Sequence, residues 1–282
     1  MKAAAFEHVD AADVQDALRL LASAAGRAKL MAGGQSLGPM LNLRLSRPQS
    51  VVDLSKLAVL TSVQVQGQDL LLGARLTHAA IEDGRHPALA AHPMRQVAAG
   101  IAYRAIRNKG TLGGSLAHAD PAADWMLAAW AADAQIELAR ASGTRQVPVR
   151  DFMQAAYTTA LEADEMVVAV HVPVSLSRAS WGYYKVCRKV GDFAETSCAV
   201  VIDDARGVCR IAVGALDGPP ILLEGLAQQL FQHRDPAEAW TDRIDQDLMA
   251  AVPGRDRIAR RMMSATINRA IARALGHERA HA

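Results

Sequence analysis

The chain has 282 residues, of which 51% are hydrophobic and 4% aromatic, and its formal net charge at pH 7 is +2. This length is enough for a substantial core and for one to three subdomains. The balanced charge and the lack of a Lys/Arg run argue against a nucleic-acid-binding surface. No segment is long and apolar enough to span a bilayer, and the N-terminal residues lack the apolar stretch of a signal peptide, so we expect a cytoplasmic protein without membrane insertion.

The first part of the chain is predicted to form a small β-α-β unit. Apolar residues recur at helical spacing from Val14 to Leu21, and Gly26 ends this helix. Strands are expected over 28–31 and 50–54, on either side of a glycine-rich loop. We expect this first lobe to end near residue 55.

A second unit is predicted from about residue 56 to residue 175. Val63–Gln66 and Leu70–Ala74 flank a Gly-Gln-Asp turn and read as a hairpin. Helices are predicted over 94–104 and 122–132, and strands over 135–138, 146–149 and 165–172.

A polar, aperiodic stretch over 175–180 indicates a domain boundary, so we predict domains at 1–175 and 176–282. After it come three predicted strands, over 181–187, 197–202 and 208–215, and then helices, one of which begins at Asp235-Pro236 and the last of which covers 258–275. Strands followed by helices predict an α+β fold.

Three cysteines are present, Cys187, Cys198 and Cys209. An odd count without close pairs argues against a disulfide framework, and without a C-x-x-C spacing we expect neither zinc nor an iron–sulfur cluster on this chain. We predict no metal site and interpret the three thiols as small core or interface side chains.

Two glycine-rich loops are the strongest functional signal: Ala32-Gly33-Gly34-Gln35-Ser36-Leu37 and Thr111-Leu112-Gly113-Gly114-Ser115. Glycine allows close backbone approach to a ligand, successive N–H groups bind anions, and the serine and threonine hydroxyls add donors. Together they predict a two-sided clamp for a diphosphate. Neither loop has the spacing of a Rossmann fingerprint or a P-loop. Each could also be an ordinary turn, as in a non-catalytic assembly protein.

With these motifs the chain resembles the FAD-bearing medium subunits of the molybdenum hydroxylases, the family of xanthine dehydrogenase and carbon monoxide dehydrogenase. Besides the two loops, the resemblance rests on Pro39, Asn42–Leu45, Arg107–Gly110, Asp120-Pro121 and Asp124. It implies a two-lobed FAD-binding domain of the p-cresol methylhydroxylase and vanillyl-alcohol oxidase type over 1–175. A C-terminal domain with a three-stranded antiparallel sheet and helices would follow over 176–282.

The resemblance also implies the residues that contact FAD. These are Ala32, Gly33, Gly34, Gln35, Ser36, Leu37, Ile101, Thr111, Gly113, Gly114, Ser115, Asp124, Val167, Lys185, Asp192 and Phe193. By this resemblance Asp124 would bind the sugar or adenine end, and Lys185 and Phe193 would lie at the flavin. Taken alone, Asp124 could simply cap a helix and Lys185 could be an exposed strand residue. Many relatives have histidine where this chain has Gln35, and Phe193 lacks the hydroxyl of a tyrosine.

The function implied is electron transfer, with no catalytic acid–base residues on this chain. Electrons would pass from iron–sulfur (2Fe–2S) clusters on a small partner subunit to FAD and on to an external acceptor. Substrate would react at a molybdopterin-type molybdenum cofactor on a large subunit, and two heterotrimers would form a dimer. The alternative is a stand-alone FAD-dependent oxidoreductase of the same fold that uses NAD(P)H. His118 and Asp120 resemble a catalytic pair, but no nucleophile accompanies them, and we favour a structural role.

Overall fold

The computed structural model describes residues 2–234 and 240–276. Its first lobe is a parallel sheet in the order β1-β3-β2. Helix α1 packs on this sheet through Ala17, Leu18 and Leu21, and the Asp13 side chain caps its first turn by accepting from the N–H of Asp16. The elements are β1 (Glu7–Asp10), α1 (Val14–Ser23), β2 (Ala28–Met31), α2 (Leu37–Asn42) and β3 (Ser50–Asp53). The predicted β-α-β unit is present, and the short polar strand β1 is added to it.

The second lobe contains an antiparallel sheet in the order β4-β5-β10-β6-β7. The strands are β4 (Val63–Gln66), β5 (Asp69–Gly73), β6 (Gln135–Arg140), β7 (Gly143–Pro148), a separate pair β8 (Met153–Ala155) and β9 (Thr158–Thr159), and β10 (Met166–Pro173). The most apolar of these, β10, lies at the centre of the sheet and is almost wholly buried. The predicted hairpin corresponds to β4 and β5.

Helices cover this second sheet. They are α3 (His78–Glu82), α4 (Met94–Ala99), α5 (Arg104–Arg107), α6 (Leu112–His118), α7 (Asp124–Ala132) and α8 (Val149–Phe152), with 3₁₀ turns at Ala58–Thr61, Pro87–Leu89 and Val174–Ser177. All nine residues of α7 are buried. The single helix predicted over 94–104 is divided in two, because α4 ends at Gly100 and Ala102 takes a positive φ of 42°.

The C-terminal part has a sheet in the order β11-β12-β13-β14 and three helices. Its elements are β11 (Ser180–Val186), β12 (Thr196–Asp203), β13 (Val208–Gly214), β14 (Ile221–Leu222), α9 (Glu224–Gln232), α10 (Thr241–Ala251) and α11 (Arg257–Ala274). The three predicted strands are present, and β14 adds a fourth, two-residue strand beside β13. The predicted helix start at Asp235-Pro236 lies outside the described residues.

Strand β12 is buried on both faces and so joins two hydrophobic cores. Ala199 and Val201 face the core that contains Trp125, whereas Cys198 and Val200 face the core formed with the C-terminal helices. This placement packs α7 of the second lobe against the C-terminal sheet.

All three cysteines are unpaired, and Cys198 is completely buried. Burial raises the pKa of the Cys198 thiol, and it raises that of the Cys209 thiol to about 12. Both thiols therefore stay protonated in the neutral range, which is consistent with packing roles. Among the described residues, no helix has the length and apolar character needed to cross a membrane.

Candidate functional site

The first glycine-rich loop leads from β2 into α2. Gly34 has a φ of 70°, a conformation that favours glycine. The Gln35 side chain turns back and donates from Nε2 to the carbonyl oxygen of Gly33 at 3.1 Å. Within the described ranges, no group accepts a hydrogen bond from the backbone N–H groups of residues 33–36. Consecutive free backbone donors of this kind are the chemical requirement for binding an anion.

The second loop uses its N–H groups differently. Thr111 caps α6, with its hydroxyl oxygen accepting from the N–H of Gly114 at 3.2 Å. The N–H of Gly113 donates to the carbonyl oxygen of Ala74 at 2.8 Å, and that of Ser115 donates to Thr111. The second loop therefore does not offer a second set of free N–H groups. It offers two glycines, which have no side chains, and the hydroxyl of Ser115.

The two glycines of the second loop face opposite ways. Gly113 is buried, and a Cβ there would lie 2.5 Å from Cβ of Ala74, so this glycine allows α6 to pack on the end of β5. Gly114 is exposed, and a Cβ on it would lie 4.0 Å from Cβ of Ala32. Gly114 is thus the glycine that faces the first loop.

A direct backbone contact joins the two loops. A Cβ on Gly33 would lie 1.9 Å from the carbonyl oxygen of Lys109, just before the second loop. Real Cβ atoms do not approach an oxygen so closely, so only glycine fits at position 33. The structure thus brings together the two loops that the sequence singled out.

A buried histidine, His78, contacts the backbone just before the second loop. His78 Nδ1 accepts a hydrogen bond from Trp125 Nε1 at 2.9 Å, and its Nε2 would lie 2.6 Å from a Cβ on Gly110. Burial, with a contribution from the nearby charge of Arg107, lowers the pKa of His78 to about 4. The imidazole is therefore neutral at pH 7, and it packs between Trp125 and the backbone at Gly110, just before the second loop.

Asp124 and Lys185 form a nearly buried ion pair. Lys185 Nζ lies 2.9 Å from Asp124 Oδ1, and the two side chains are only 10% and 7% exposed. The Tyr183 hydroxyl donates a second hydrogen bond to the same carboxylate oxygen. Asp124 is the first residue of α7, but its carboxylate is held by β11 rather than capping the helix. Both structural alternatives for these residues, a helix cap and an exposed strand residue, are therefore wrong.

The turn between α4 and α5 adjoins this ion pair. A Cβ on Gly100 would lie 3.9 Å from Cε of Lys185, and the next residue, Ile101, packs partly buried against the central core. Arg107 fixes the turn: its Nη1 donates to the carbonyl oxygens of Ile101 at 3.0 Å and Ala102 at 2.8 Å.

The loop after β11 rests on the same turn. Gly191 has a φ of 90°, and a Cβ there would lie 2.8 Å from the carbonyl oxygen of Ala102. The following Asp192 is partly exposed, and Phe193 is 65% exposed. Phe193 is therefore a surface side chain beside the turn.

Val167 lies in β10 and is buried in the central core. Its neighbour Val168 accepts a hydrogen bond from the N–H of Ala74, whose own carbonyl oxygen accepts from Gly113. The backbone at Ala74 therefore connects β10, next to Val167, to the second loop at Gly113.

These residues fit FAD. A diphosphate only accepts hydrogen bonds, and the first loop has free backbone donors. The Ser36 hydroxyl makes no capping hydrogen bond to α2, and the hydroxyls of Ser36 and Ser115 add two further donors. Lys185 and Asp124, which lie next to the turn at Gly100, add a charged donor and a charged acceptor of the kind that polar groups of the cofactor require.

Comparison with known proteins agrees with this geometry. A family model described as the FAD binding domain in molybdopterin dehydrogenase matches residues 4–175, more than half of the chain. The nicotine 6-hydroxylase medium subunit of Paenarthrobacter nicotinovorans is 39% identical over 224 residues, which cover 77% of each chain. The chain belongs to the FAD-binding medium subunits of the molybdenum hydroxylases. It is an oxidoreductase subunit, and its cofactor is FAD.

Two further known proteins match nearly the whole chain. The carbon monoxide dehydrogenase medium chain of Hydrogenophaga pseudoflava is 32% identical over 259 residues, covering 89% of this chain and 88% of that one. A chain in the crystal structure of quinoline 2-oxidoreductase from Pseudomonas putida 86 superposes with a TM-score of 0.86 at 29% identity, covering 98% of this medium subunit and 99% of its counterpart. The fold expected from the resemblance is thereby confirmed.

Two residues of the site are not expected from the sequence of this medium subunit. The sequence indicates only a strand at Tyr183, although its spacing of two from Lys185 places both side chains on one face of β11. Arg107 belongs to a motif that carries the resemblance without a role of its own, and its contact with the turn at Ile101 depends on tertiary structure.

The pair His118 and Asp120 has other partners. The ring of His118 packs at a tilt of 52° against the ring of Tyr157, with a centroid distance of 5.2 Å, and Asp120 accepts a hydrogen bond from the Tyr157 hydroxyl at 3.3 Å. These contacts support the structural interpretation of the pair.

Proposed function

We propose that this chain is the FAD-carrying electron-transfer subunit of a heterotrimeric molybdenum hydroxylase. Electrons arrive from iron–sulfur (2Fe–2S) clusters on a small partner subunit and leave to an external acceptor. A large partner subunit carries the molybdopterin-type molybdenum cofactor, and two such heterotrimers pair. The observation that carries this proposal is the contact between the two glycine-rich loops, at Gly33 and Lys109, in a chain of this family.

The proposed FAD site follows from the placement of the residues. The free N–H groups of residues 33–36 and the Ser36 and Ser115 hydroxyls hold the diphosphate, with Gly114 giving it access. Ile101, Val167 and the segment Asp192-Phe193 line the site, and Gly113 acts by close packing. Bound FAD supplies a carrier that accepts and releases electrons.

Lys185 and Asp124 have distinct proposed roles. A positive charge stabilises a ring that gains electrons, so Lys185 favours uptake of electrons by the flavin. Asp124 binds hydroxyl groups of the cofactor and holds the Lys185 ammonium in place at 2.9 Å. Neither residue transfers a proton to a substrate, which fits a subunit without acid–base catalysis.

Substrate specificity belongs to a partner in this proposal. Relatives of this chain are named as subunits of a nicotine hydroxylase, a carbon monoxide dehydrogenase and a caffeine dehydrogenase. Such unlike molecules are consistent with a medium subunit that does not bind the substrate itself.

We also propose the domain division at 1–175 and 176–282. The family model ends at residue 175, and the C-terminal sheet begins at Ser180, after β10 ends at Pro173. We assign the complex to the cytoplasm, where unpaired thiols such as those of this chain are stable.

The test is affinity purification of the native complex through a tag on this chain, followed by a visible spectrum and analysis of the subunits. We expect a flavin band, broad iron–sulfur absorption and two additional chains. A flavin band on an active chain without partners would instead favour the stand-alone NAD(P)H-dependent oxidoreductase. A colourless protein that stays colourless after incubation with FAD would contradict the assignment of the glycine-rich loops.

A further inference from the structure

The Tyr183 side chain is buried at the ion pair of the proposed flavin site. Its residue is 5% exposed, and its hydroxyl donates to Asp124 Oδ1. A buried phenol ordinarily finds a hydrogen-bond partner, which is often a backbone carbonyl. Here the partner is the carboxylate that also holds Lys185.

Strand geometry explains why the three groups meet. Tyr183 and Lys185 are two residues apart on β11 and project from one face, toward the first residue of α7, which is Asp124. On the other face of β11, the Tyr184 ring lies under the guanidinium groups of Arg269 at 4.9 Å and Arg273 at 4.7 Å. Adjacent tyrosines thus face different surroundings.

The Asp124 carboxylate divides its hydrogen bonds between two donors. Lys185 Nζ lies 2.9 Å from Oδ1 and 3.2 Å from Oδ2, and Tyr183 donates to Oδ1. Among the described residues, these are the side chains that donate to Asp124. A buried carboxylate that loses one donor interacts more strongly with the other, because its charge is then less well solvated.

We propose that Tyr183 is a positioning residue for the flavin, which holds Asp124 so that the ammonium group of Lys185 remains directed at FAD. This inference rests on the proposed role of Lys185. Without the phenol, Asp124 draws the ammonium to itself, and the positive charge is less available to the cofactor.

The phenol acts as a constant donor rather than as a switch. Burial, together with the nearby Asp124 charge, raises the pKa of Tyr183 well above its usual value. The hydroxyl keeps its proton over the working pH range, and its hydrogen bond to Asp124 persists.

The experiment compares Tyr183→Phe with Tyr184→Phe in the intact complex. The dissociation constant of FAD is measured after removal and readdition of the cofactor, and the reduction potential of the bound flavin is measured by redox titration. Loss of a hydrogen bond to a charged group predicts about a tenfold rise in the dissociation constant and a more negative potential for Tyr183→Phe. Tyr184→Phe should leave both values unchanged.

A double variant separates positioning from a packing effect. Because Tyr183 acts through the carboxylate, adding Tyr183→Phe to Asp124→Asn should change neither value further. A Tyr183→Phe variant with the wild-type potential would overturn the inference, and so would an equal shift in the Asp124→Asn background.

Lys185→Met tests the underlying assumption in the same assays. If it makes the potential more negative while Tyr183→Phe does not, only the inference about Tyr183 fails. If Lys185→Met leaves both the potential and FAD binding unchanged, the proposed role of Lys185 fails, and the inference fails with it.

Discussion

Gly33 and Lys109 touch backbone to backbone, since a Cβ on Gly33 would lie 1.9 Å from the carbonyl oxygen of Lys109. The contact joins two loops that are far apart in the sequence, one after β2 in the first lobe and one between α5 and α6 in the second. It sets the relative position of the free amides at 33–36 and of the exposed Gly114. The geometry of the proposed diphosphate clamp therefore depends on the absence of a side chain at position 33.

Gly33→Ala should separate the two loops. The added methyl group cannot fit against a backbone oxygen, so we expect FAD content to fall by about tenfold or more, and the free energy of unfolding by about 1–3 kcal/mol. Gly38→Ala is the matched control, because a Cβ at Gly38 meets nothing within 4 Å. Flavin content per purified complex and denaturant unfolding measure both effects. Full flavin content in Gly33→Ala would show that the contact does not shape the site.

Arg107→Lys should loosen the turn at Ile101. Arg107 donates to both carboxylate oxygens of Glu82, at 2.8 and 2.9 Å, as well as to the turn, and an ammonium group cannot make this bidentate contact. We expect about 1–3 kcal/mol lower unfolding free energy and weaker FAD binding. In Arg104→Lys, the control, the replaced side chain is 44% exposed, and we expect a smaller loss. Equal effects in the two variants would argue against a special role for Arg107.

Unfolding stability should decrease as the pH falls from about 6.5 to 4. Burial lowers the pKa of His78 and of His92 from 6.5 to about 4, so the unfolded chain binds these protons first. Above pH 6.5 both histidines are neutral in the folded and the unfolded chain and do not lower the free energy of unfolding. Below pH 6.5 the free energy of unfolding falls progressively until the pH reaches about 4. At about pH 5 each histidine should account for a loss of about 2 kcal/mol.

His92→Asn measures one of these contributions separately. The amide oxygen of the introduced asparagine can replace His92 Nδ1, which accepts from the N–H of Met94 at 3.3 Å, but the amide does not titrate. Urea unfolding near pH 7.5 and pH 5 should therefore show about 2 kcal/mol less pH dependence in the variant than in the wild type. The same pH dependence in both proteins would contradict a depressed pKa for His92.

Gly182→Ala should weaken the packing of the C-terminal helix on its sheet. A Cβ on Gly182 would lie 1.9 Å from the carbonyl oxygen of Ala270, so α11 would have to move away from β11. We expect the free energy of unfolding, measured by thermal or urea denaturation, to fall by about 1–3 kcal/mol or more. Gly218→Ala, where a Cβ has open space, should be close to neutral. A Gly182→Ala protein as stable as this control would show that α11 adapts at little cost.

Most elements could be predicted from the sequence because their signals are local. The hairpin at β4 and β5, the buried helix α7 and strand β10 follow from turn residues and apolar runs. The division between α4 and α5 could not be predicted, since it depends on Arg107 holding the carbonyl oxygens of the turn. The two-residue strand β14 has no pattern of its own and forms only beside β13.

The sequence by itself determined that two glycine-rich loops exist and, by resemblance, that they belong to an FAD-binding medium subunit. This was possible because glycine is required wherever a backbone must approach another closely, whatever the surroundings. Only the tertiary structure decided that the backbone N–H groups of the first loop are free, whereas those of Gly113 and Ser115 in the second donate to carbonyl oxygens of the protein. It also decided that Tyr183 and Lys185 both donate to Asp124. Hydrogen bonds between distant segments depend on how sheets and helices pack, and no local pattern encodes that packing.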